Sequence, residues 1–266
     1  MSSPHERESI VQIGDKSYTI ASDDLYLDSV GRDFEPHMVG LFRSLIRRDD
    51  SVVDVGANIG LTTLLFAELA ARVYSFEASP STFRYLKRNV EHASLSNVTL
   101  INKALGNRTT TSEITFAPNN RSGGFVSDQT KASAGHVTET IDVRRMDDLL
   151  PRGGDFVKLD VEGYEKYVIE GAPEILAKNR PVVVLELNHW CLNAFQRITV
   201  PDFFDFLRAT FPIALAVQDH HYLNLHDSGE SYITMYRHIV QGQYSNLVCA
   251  FDPERLQEFK EKFRNG

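Results

Sequence analysis

One stretch constrains the fold more than any other. Ser51-Val-Val-Asp-Val-Gly-Ala-Asn-Ile-Gly60 leads into Leu61-Thr-Thr-Leu-Leu-Phe-Ala-Glu-Leu-Ala70, then into Ala71-Arg-Val-Tyr-Ser-Phe-Glu77-Ala78. Val52 to Val55 is a β-branched run broken only by Asp54, which suits a buried strand. Gly56 and Gly60 bracket a tight turn, and Leu61, Leu64, Leu65 and Leu69 recur at helical spacing. Val73 to Phe76 reads as a second strand that ends on an acid, Glu77. Strand, glycine turn, helix, strand and acid together span the ~30 residues of one βαβ nucleotide-binding unit.

The chemistry follows from that order. Glycine lets backbone approach a ligand where a Cβ would clash. The helix that begins near Gly60 offers free N–H groups to an anion. An acid at the tip of the second strand can accept from two ribose hydroxyls. A dinucleotide fingerprint counted from Gly56 needs glycine at 58 and 61, where this chain has Asn58 and Leu61. The turn therefore suits S-adenosyl-L-methionine better than a pyrophosphate, with Asp54 positioned toward the cationic amine end. A nicotinamide-dependent oxidoreductase is the rival on these residues. A packed turn without a ligand would leave Asp54, both glycines and Glu77 to coincidence.

The 266 residues permit one large domain or two small ones. A net charge of −8 and a pI near 5.6 oppose a nucleic-acid partner, which needs a basic face. No apolar run reaches the ~18 residues of a membrane span. Met1 to Glu8 has no apolar signal core. Cys191 and Cys249 stand at no metal or redox spacing. The expectation is a cytoplasmic chain of unknown oligomeric state.

Residues 1–50 are expected to form a cap on the substrate side, and 51–266 the main domain. Met1 to Ser9 reads as a mobile tail, Ile10 to Ile20 as a hairpin about Gly14-Asp15, and Asp33 to Arg48 as an amphipathic helix. Ser79 with Pro80 marks a helix start. Asn97 to Asn102 is a third strand, and the turn at Ala104-Leu105 should lie near an adenine, because ligands sit outside the carboxyl ends of parallel strands. Glu113 to Ala117 and Val137 to Val143 read as strands flanking a long polar loop, Pro118 to His136, either a lid or floppy, with Arg121 and His136 its notable members.

A second informative stretch is Asp155-Phe-Val-Lys-Leu-Asp160-Val-Glu162-Gly163. Two acids and Lys158 around a buried strand are costly unless paired or functional. Pro181 to Leu187 reads as a central parallel strand carrying Glu186, with Asn188 and His189 at its end. Glu186 and Asn188 should emerge beside Asp160 and Glu162. A structural Glu186, paired with Lys158 or a helix end, is the competing reading. Val200 to Thr210 is a helix, Gln218 to Ser228 a solvated loop despite His220, His221 and His226, Asn246 to Phe251 a last strand at the edge, and Pro253 to Gly266 a charged helix with Leu256, Phe259 and Phe263 on one side.

Five blocks, Val52–Gly60, Phe76–Pro80, Asn102–Gly106, Val157–Gly163 with Gly171-Ala172, and Leu185–Asn188, resemble in order the FkbM family of methyltransferases. The resemblance covers about Asp50 to Asn188. It implies an α/β class I methyltransferase (Rossmann-like) fold: a seven-stranded, mostly parallel sheet with helices on both faces. It implies O-methylation of a sugar, glycan or polyketide-type natural product, so that the partner is a small-molecule or glycan acceptor. Matched block by block, Asp54, Gly56, Asn58, Gly60 and Glu77 would bind cofactor, joined by Ala78, Ala104 and Leu105 from the strand-end reading. Asp160, Glu162 and Glu186 would face the reaction centre. Asp160, then His189 and Glu162, are the candidate bases. A Mg²⁺ on Asp160, Glu186 and Asn188 is the less favoured route. An N- or protein methyltransferase on the same fold is the alternative.

Overall fold

A computed structural model describes residues 6–130 and 133–265. The strands are β1 (Arg7–Ile13), β2 (Lys16–Ser22), β3 (Ser51–Val55), β4 (Arg72–Phe76), β5 (Val98–Ile101), β6 (Ala104–Leu105), β7 (Thr110–Ala117), β8 (Asn120–Val126), β9 (Val137–Arg144), β10 (Phe156–Leu159), β11 (Val182–Glu186), β12 (Ile213–Gln218), β13 (His221–Asn224), β14 (Asn246–Ala250) and β15 (Arg264–Asn265). The main sheet runs β15-β13-β12-β14-β11-β10-β3-β4-β5. The β5-β4-β3-β10-β11 block is parallel, and β14 runs against both β11 and β12.

The described sheet thus has nine strands rather than the expected seven. The two extra are β13 and β15, at one edge. The β13 segment lies in the histidine-rich stretch expected to be a loop. It is a short strand between β12 and the two-residue edge strand β15, with one buried side chain, Leu223, so it carries almost no apolar alternation. Conversely, β14 was expected at the edge and lies inside the sheet. Leu247, Val248, Cys249 and Ala250 are all fully buried, as a strand covered on both faces must be.

The chain climbs β3 to β5 on one side of the sheet and places β10 and β11 on the other. The direction of winding therefore reverses between β3 and β10, where a ligand crevice opens. Registers align the strand ends, with Val55 opposite Phe76, Leu159 opposite Val55, and Leu159 opposite Leu185. Glu77, Gly56, Asp160 and Glu186 consequently form a row along the carboxyl edge.

A second, four-stranded sheet has the order β6-β9-β7-β8. Its β8 strand corrects the reading of Pro118 to His136 as a loop. Gly123-Gly124 hides the alternation, yet Gly124 is where backbone comes close: a Cβ there would meet the Arg121 carbonyl oxygen and Ile114 at 3.1 Å. Residues 131 and 132 of that stretch lie outside the described residues. So do residues 1–5 of the expected tail, whereas Arg7 to Ser9 belong to β1 and pair with β2.

The N-terminal hairpin and the helix Pro36–Leu45 share one hydrophobic cluster with the helix Leu61–Leu69: Val11, Ile13, Ile20 and Phe42 pack with Leu64, Leu65 and Phe66. Phe42 meets Phe66 edge-on at 4.8 Å. The opposite face of the sheet has its own cluster, including Val168, Phe203, Phe204 and Leu207. The C-terminal stretch splits into a 3₁₀ turn, Pro253–Leu256, a helix, Gln257–Lys262, and β15, with Leu256, Phe259 and Phe263 buried.

Candidate active site

The glycine turn is built by backbone. Gly56 and Ala57 both donate to the Phe76 carbonyl at 3.0 and 2.9 Å. Gly56 has φ +77°, and a Cβ there would lie 1.9 Å from the Asp160 carbonyl oxygen. Only glycine lets β3 and β10 close so tightly. Gly60, at φ +104°, begins the next helix and lies against Leu86 rather than in the crevice.

Glu77 is buried, and its two oxygens accept from the backbone N–H of Asn58 and of Ser79, each at 2.9 Å. Burial pushes its carboxyl up to about 7, against the pull of those two N–H groups. Asn102 donates to the carbonyls of Glu77 and Ala78 at 2.8 and 3.1 Å, fixing the strand end. Ser79 caps the helix Pro80–His92 as expected, accepting from the Thr82 N–H.

Asp54 lies beneath the turn, fully buried, and lines neither cavity. Its Oδ2 accepts from the hydroxyls of Thr62 and Thr63, while Oδ1 makes no hydrogen bond and lies 3.6 Å from the Lys158 ammonium. Lys158 also reaches Asp160 at 3.3 Å and donates to the Gly56 carbonyl at 2.9 Å. Burial pulls its pKa down, but the Asp160 and Asp54 carboxylates outweigh that and hold it above its ordinary value. The buried lysine therefore stays charged and ties the ends of β3 and β10 together.

Asp160 and Glu186 follow the aligned ends of β10 and β11 and stand side by side at the cavities. Burial, then the Asp160 charge, pushes the Glu186 carboxyl up to about 10. Glu186 therefore keeps its proton at neutral pH. Glu162 takes a left-handed backbone, φ 50°, and accepts from Asn188 Nδ2 at 3.3 Å and from Cys191 Sγ at 3.0 Å. Burial raises its pKa as well.

Two cavities of about 240 and 270 Å³ meet at this row of acids. The smaller has Phe76, Glu77, Ala78, Ala104, Leu105 and Glu162 in its wall. The larger runs under the helix Pro36–Leu45, past Lys158 and Val184 to Asn246. Gly56, Asn58, Asp160 and Glu186 border both. His189 borders neither: its ring packs edge-on against His238 at 5.0 Å. Asn188 is an N-cap whose Oδ1 accepts from the Cys191 N–H at 3.1 Å, so that oxygen is committed to the helix. Among the described residues no three His, Cys, Asp or Glu side chains gather as a metal set.

Two residues at the crevice, Tyr26 and Glu35, escaped the sequence reading, which singled out Arg121 only as a member of the Pro118 to His136 loop. Tyr26 and Glu35 border both cavities, and Arg121 borders the smaller. Glu35 has a left-handed backbone, φ 32°, immediately before Pro36, where the chain has little freedom. Burial, then the Asp160 and Glu35 charges, raises the pKa of the Tyr26 phenol. Arg121 pairs with Asp23, and its backbone N–H donates to Asp24 at 3.0 Å, tying the segment before Tyr26 to β8. The one available signal was the Glu35-Pro36 dipeptide. His136, the other member noted in that stretch, is exposed, its Nδ1 accepting from the Ser133 N–H.

Residues 54–223 of the 266 match the Methyltransferase FkbM domain. The chain belongs to the FkbM methyltransferase domain family. The chain is also similar to Methyltransferase 1 of Beauveria bassiana, 31% identical over 146 residues in a match covering 46% of this chain and 59% of that protein. The match thus spans less than two thirds of that relative. The FkbM methyltransferase of Methylobacillus flagellatus is 19% identical, with a TM-score of 0.38 over 56% of this chain and 39% of that one. The 16S rRNA N2 G1207 methyltransferase of T. thermophilus is 14% identical, with a TM-score of 0.50 over 94% of this chain and 52% of that one, a likeness of fold. For this FkbM-family chain, the row Glu77, Gly56, Asp160 and Glu186 lies within or beside the matched domain's central strands.

Proposed function

We propose that this FkbM-family protein is an S-adenosyl-L-methionine-dependent O-methyltransferase acting on a hydroxyl of a sugar, glycan or polyketide-type natural product. The observation that carries the reading is the Asp160–Glu186 pair, placed where two cavities meet beside the glycine turn. The smaller cavity fits an adenosine: Glu77 is an acid at the strand tip, and Phe76, Ala104 and Leu105 offer an apolar slot. Gly56 and Asn58 would hold the amino-acid end. The larger cavity would receive the acceptor.

Bound there, S-adenosylmethionine supplies an electrophilic methyl group. The chain's own residues do the rest. Walls on both sides fix the two reactants in line, which accounts for much of such a rate. Asp160 is the base. Lys158 lies 3.3 Å from it, and Glu186 stands beside it. A carboxylate suffices, because an attacking hydroxyl becomes strongly acidic as its new O–C bond forms. Glu162, held by Asn188 and Cys191, positions groups at the cavity mouth. The sequence charge of −8 supports a small acceptor over a nucleic acid. No helix among the described residues is long and apolar enough to cross a membrane, and a cytoplasmic setting is part of the proposal.

Calorimetry with S-adenosylmethionine and S-adenosylhomocysteine, with and without Mg²⁺ and EDTA, tests the cofactor. Saturable one-to-one binding is expected, unchanged by EDTA. Hydroxylated glycans and polyketides would then be screened for the mass gain of one methyl group. Folded protein that binds neither compound would undo the reading.

A further inference from the structure

The helix Ser228–Gln241 is inside out. Its fully buried residues are polar, Ser231, Thr234 and His238, with Met235 half-buried against the core beside them. Its exposed face is apolar: Tyr232, Ile233, Tyr236, Ile239 and Val240 are each 42 to 65% exposed. A surface helix normally shows the reverse arrangement. From Ser231 to Gln241 the only charged side chain is Arg237, which donates to the chain's own Tyr244 hydroxyl at 3.4 Å.

The spacing of the stripe is symmetric. Tyr232 and Val240 stand four residues either side of Tyr236, and Ile233 and Ile239 stand three either side. In an antiparallel pair about a two-fold axis through Tyr236, each residue of the stripe faces its mirror position, so the stripe is self-complementary. We propose that the protein is a homodimer in which this helix packs antiparallel on its copy. Tyr236 then lies on the axis, Tyr232 of one copy covers Val240 of the other, and Ile233 covers Ile239. A turn of three or four residues separates each pair, which keeps all five on one face.

The area fits. At ~200 Å² for a whole side chain of this size, the stripe leaves on the order of 500 Å² of apolar surface. A standard interface buries ~800 Å² per partner, so the stripe would be the apolar centre of one, with a polar rim completing it. A bilayer is the weaker occupant. Interfacial helices carry Lys and Arg beside their apolar face, whereas this one offers Arg237 alone on a chain of net charge −8.

Sedimentation velocity of the full chain over a wide concentration range tests the assignment. The expected mass is twice 30.1 kDa. Tyr236→Glu, at an exposed position, should weaken association by at least ~100-fold, as loss of a central anchor does, with an unchanged circular dichroism spectrum. Tyr236→Cys should cross-link the two copies on mild oxidation, because only a residue on the axis meets itself; the native Cys191 and Cys249 are buried. A 30.1 kDa monomer at every concentration would overturn the proposal. So would a dimer that survives Tyr236→Glu, or a monomer that instead binds phosphatidylcholine vesicles through this helix.

Discussion

Replacing Glu186 by glutamine should make the protein more stable, and increasingly so as the pH rises. The side chain is largely buried, and its carboxyl is pushed from 4.5 up to about 10 by burial and by Asp160. Unfolded, the same carboxyl gives up its proton near its ordinary value. The folded protein therefore holds a proton that the unfolded chain does not. The stabilisation from this group is complete below about 4.5 and drains away until the folded carboxyl itself ionises near 10. Each pH unit in that window costs ~1.4 kcal/mol. Between about pH 7 and about pH 8.5 the wild type should thus lose ~2 kcal/mol relative to Glu186→Gln, an amide that cannot ionise. For a chain of this length that is a widening of ~4–8 °C in the difference in Tm. Scanning calorimetry of both proteins across that range reads the slope directly. Parallel curves would mean that Glu186 is ionised at neutral pH, and the proton retained on Glu186 would have to be abandoned.

Asp160→Asn should lower turnover by ~10²–10⁴-fold, the usual worth of a positioned base, while S-adenosylhomocysteine still binds within about threefold by calorimetry. Retained turnover would remove Asp160 from the chemistry. Affinity for S-adenosylhomocysteine should rise as pH climbs through about 7, where Glu77 becomes the carboxylate that ribose hydroxyls prefer. The limit is about tenfold per pH unit below that point, and titrations at about pH 6 and about pH 8 check it. Glu77→Gln should abolish the dependence. Gly56→Ala, with its Cβ 1.9 Å from the Asp160 carbonyl and φ +77°, should cost more than ~3 kcal/mol, read as a collapse in Tm or in soluble yield.

Much of the site was legible because it hangs on strand ends. Glu77, Asp160 and Glu186 each close an apolar run, and parallel strands deliver their carboxyl ends to one edge. Asp54 was legible as a buried acid but not as one facing away from the crevice. Strand alternation alone does not say which face holds Thr62 and Thr63. His189 followed the right strand, yet its side chain turned to His238 from a neighbouring helix. Tyr26 and Arg121 come from segments 95 positions apart by their numbering, joined through Asp23 and Asp24 in a way no local pattern records.

The sequence by itself determined the βαβ unit at Ser51 to Ala78, the helix starts at Ser79 and Val200, and the order of acids along the chain. These depend on spacing, capping chemistry and burial patterns that reach across only a few residues. Tertiary structure alone decided that β14 lies inside the sheet, that β8 is a strand beside the crevice, and that Glu186 keeps its proton. Each of these depends on which groups end up adjacent. A carboxyl's pKa is set by the charge and the loss of water around it, and those belong to the folded surroundings rather than to the residue.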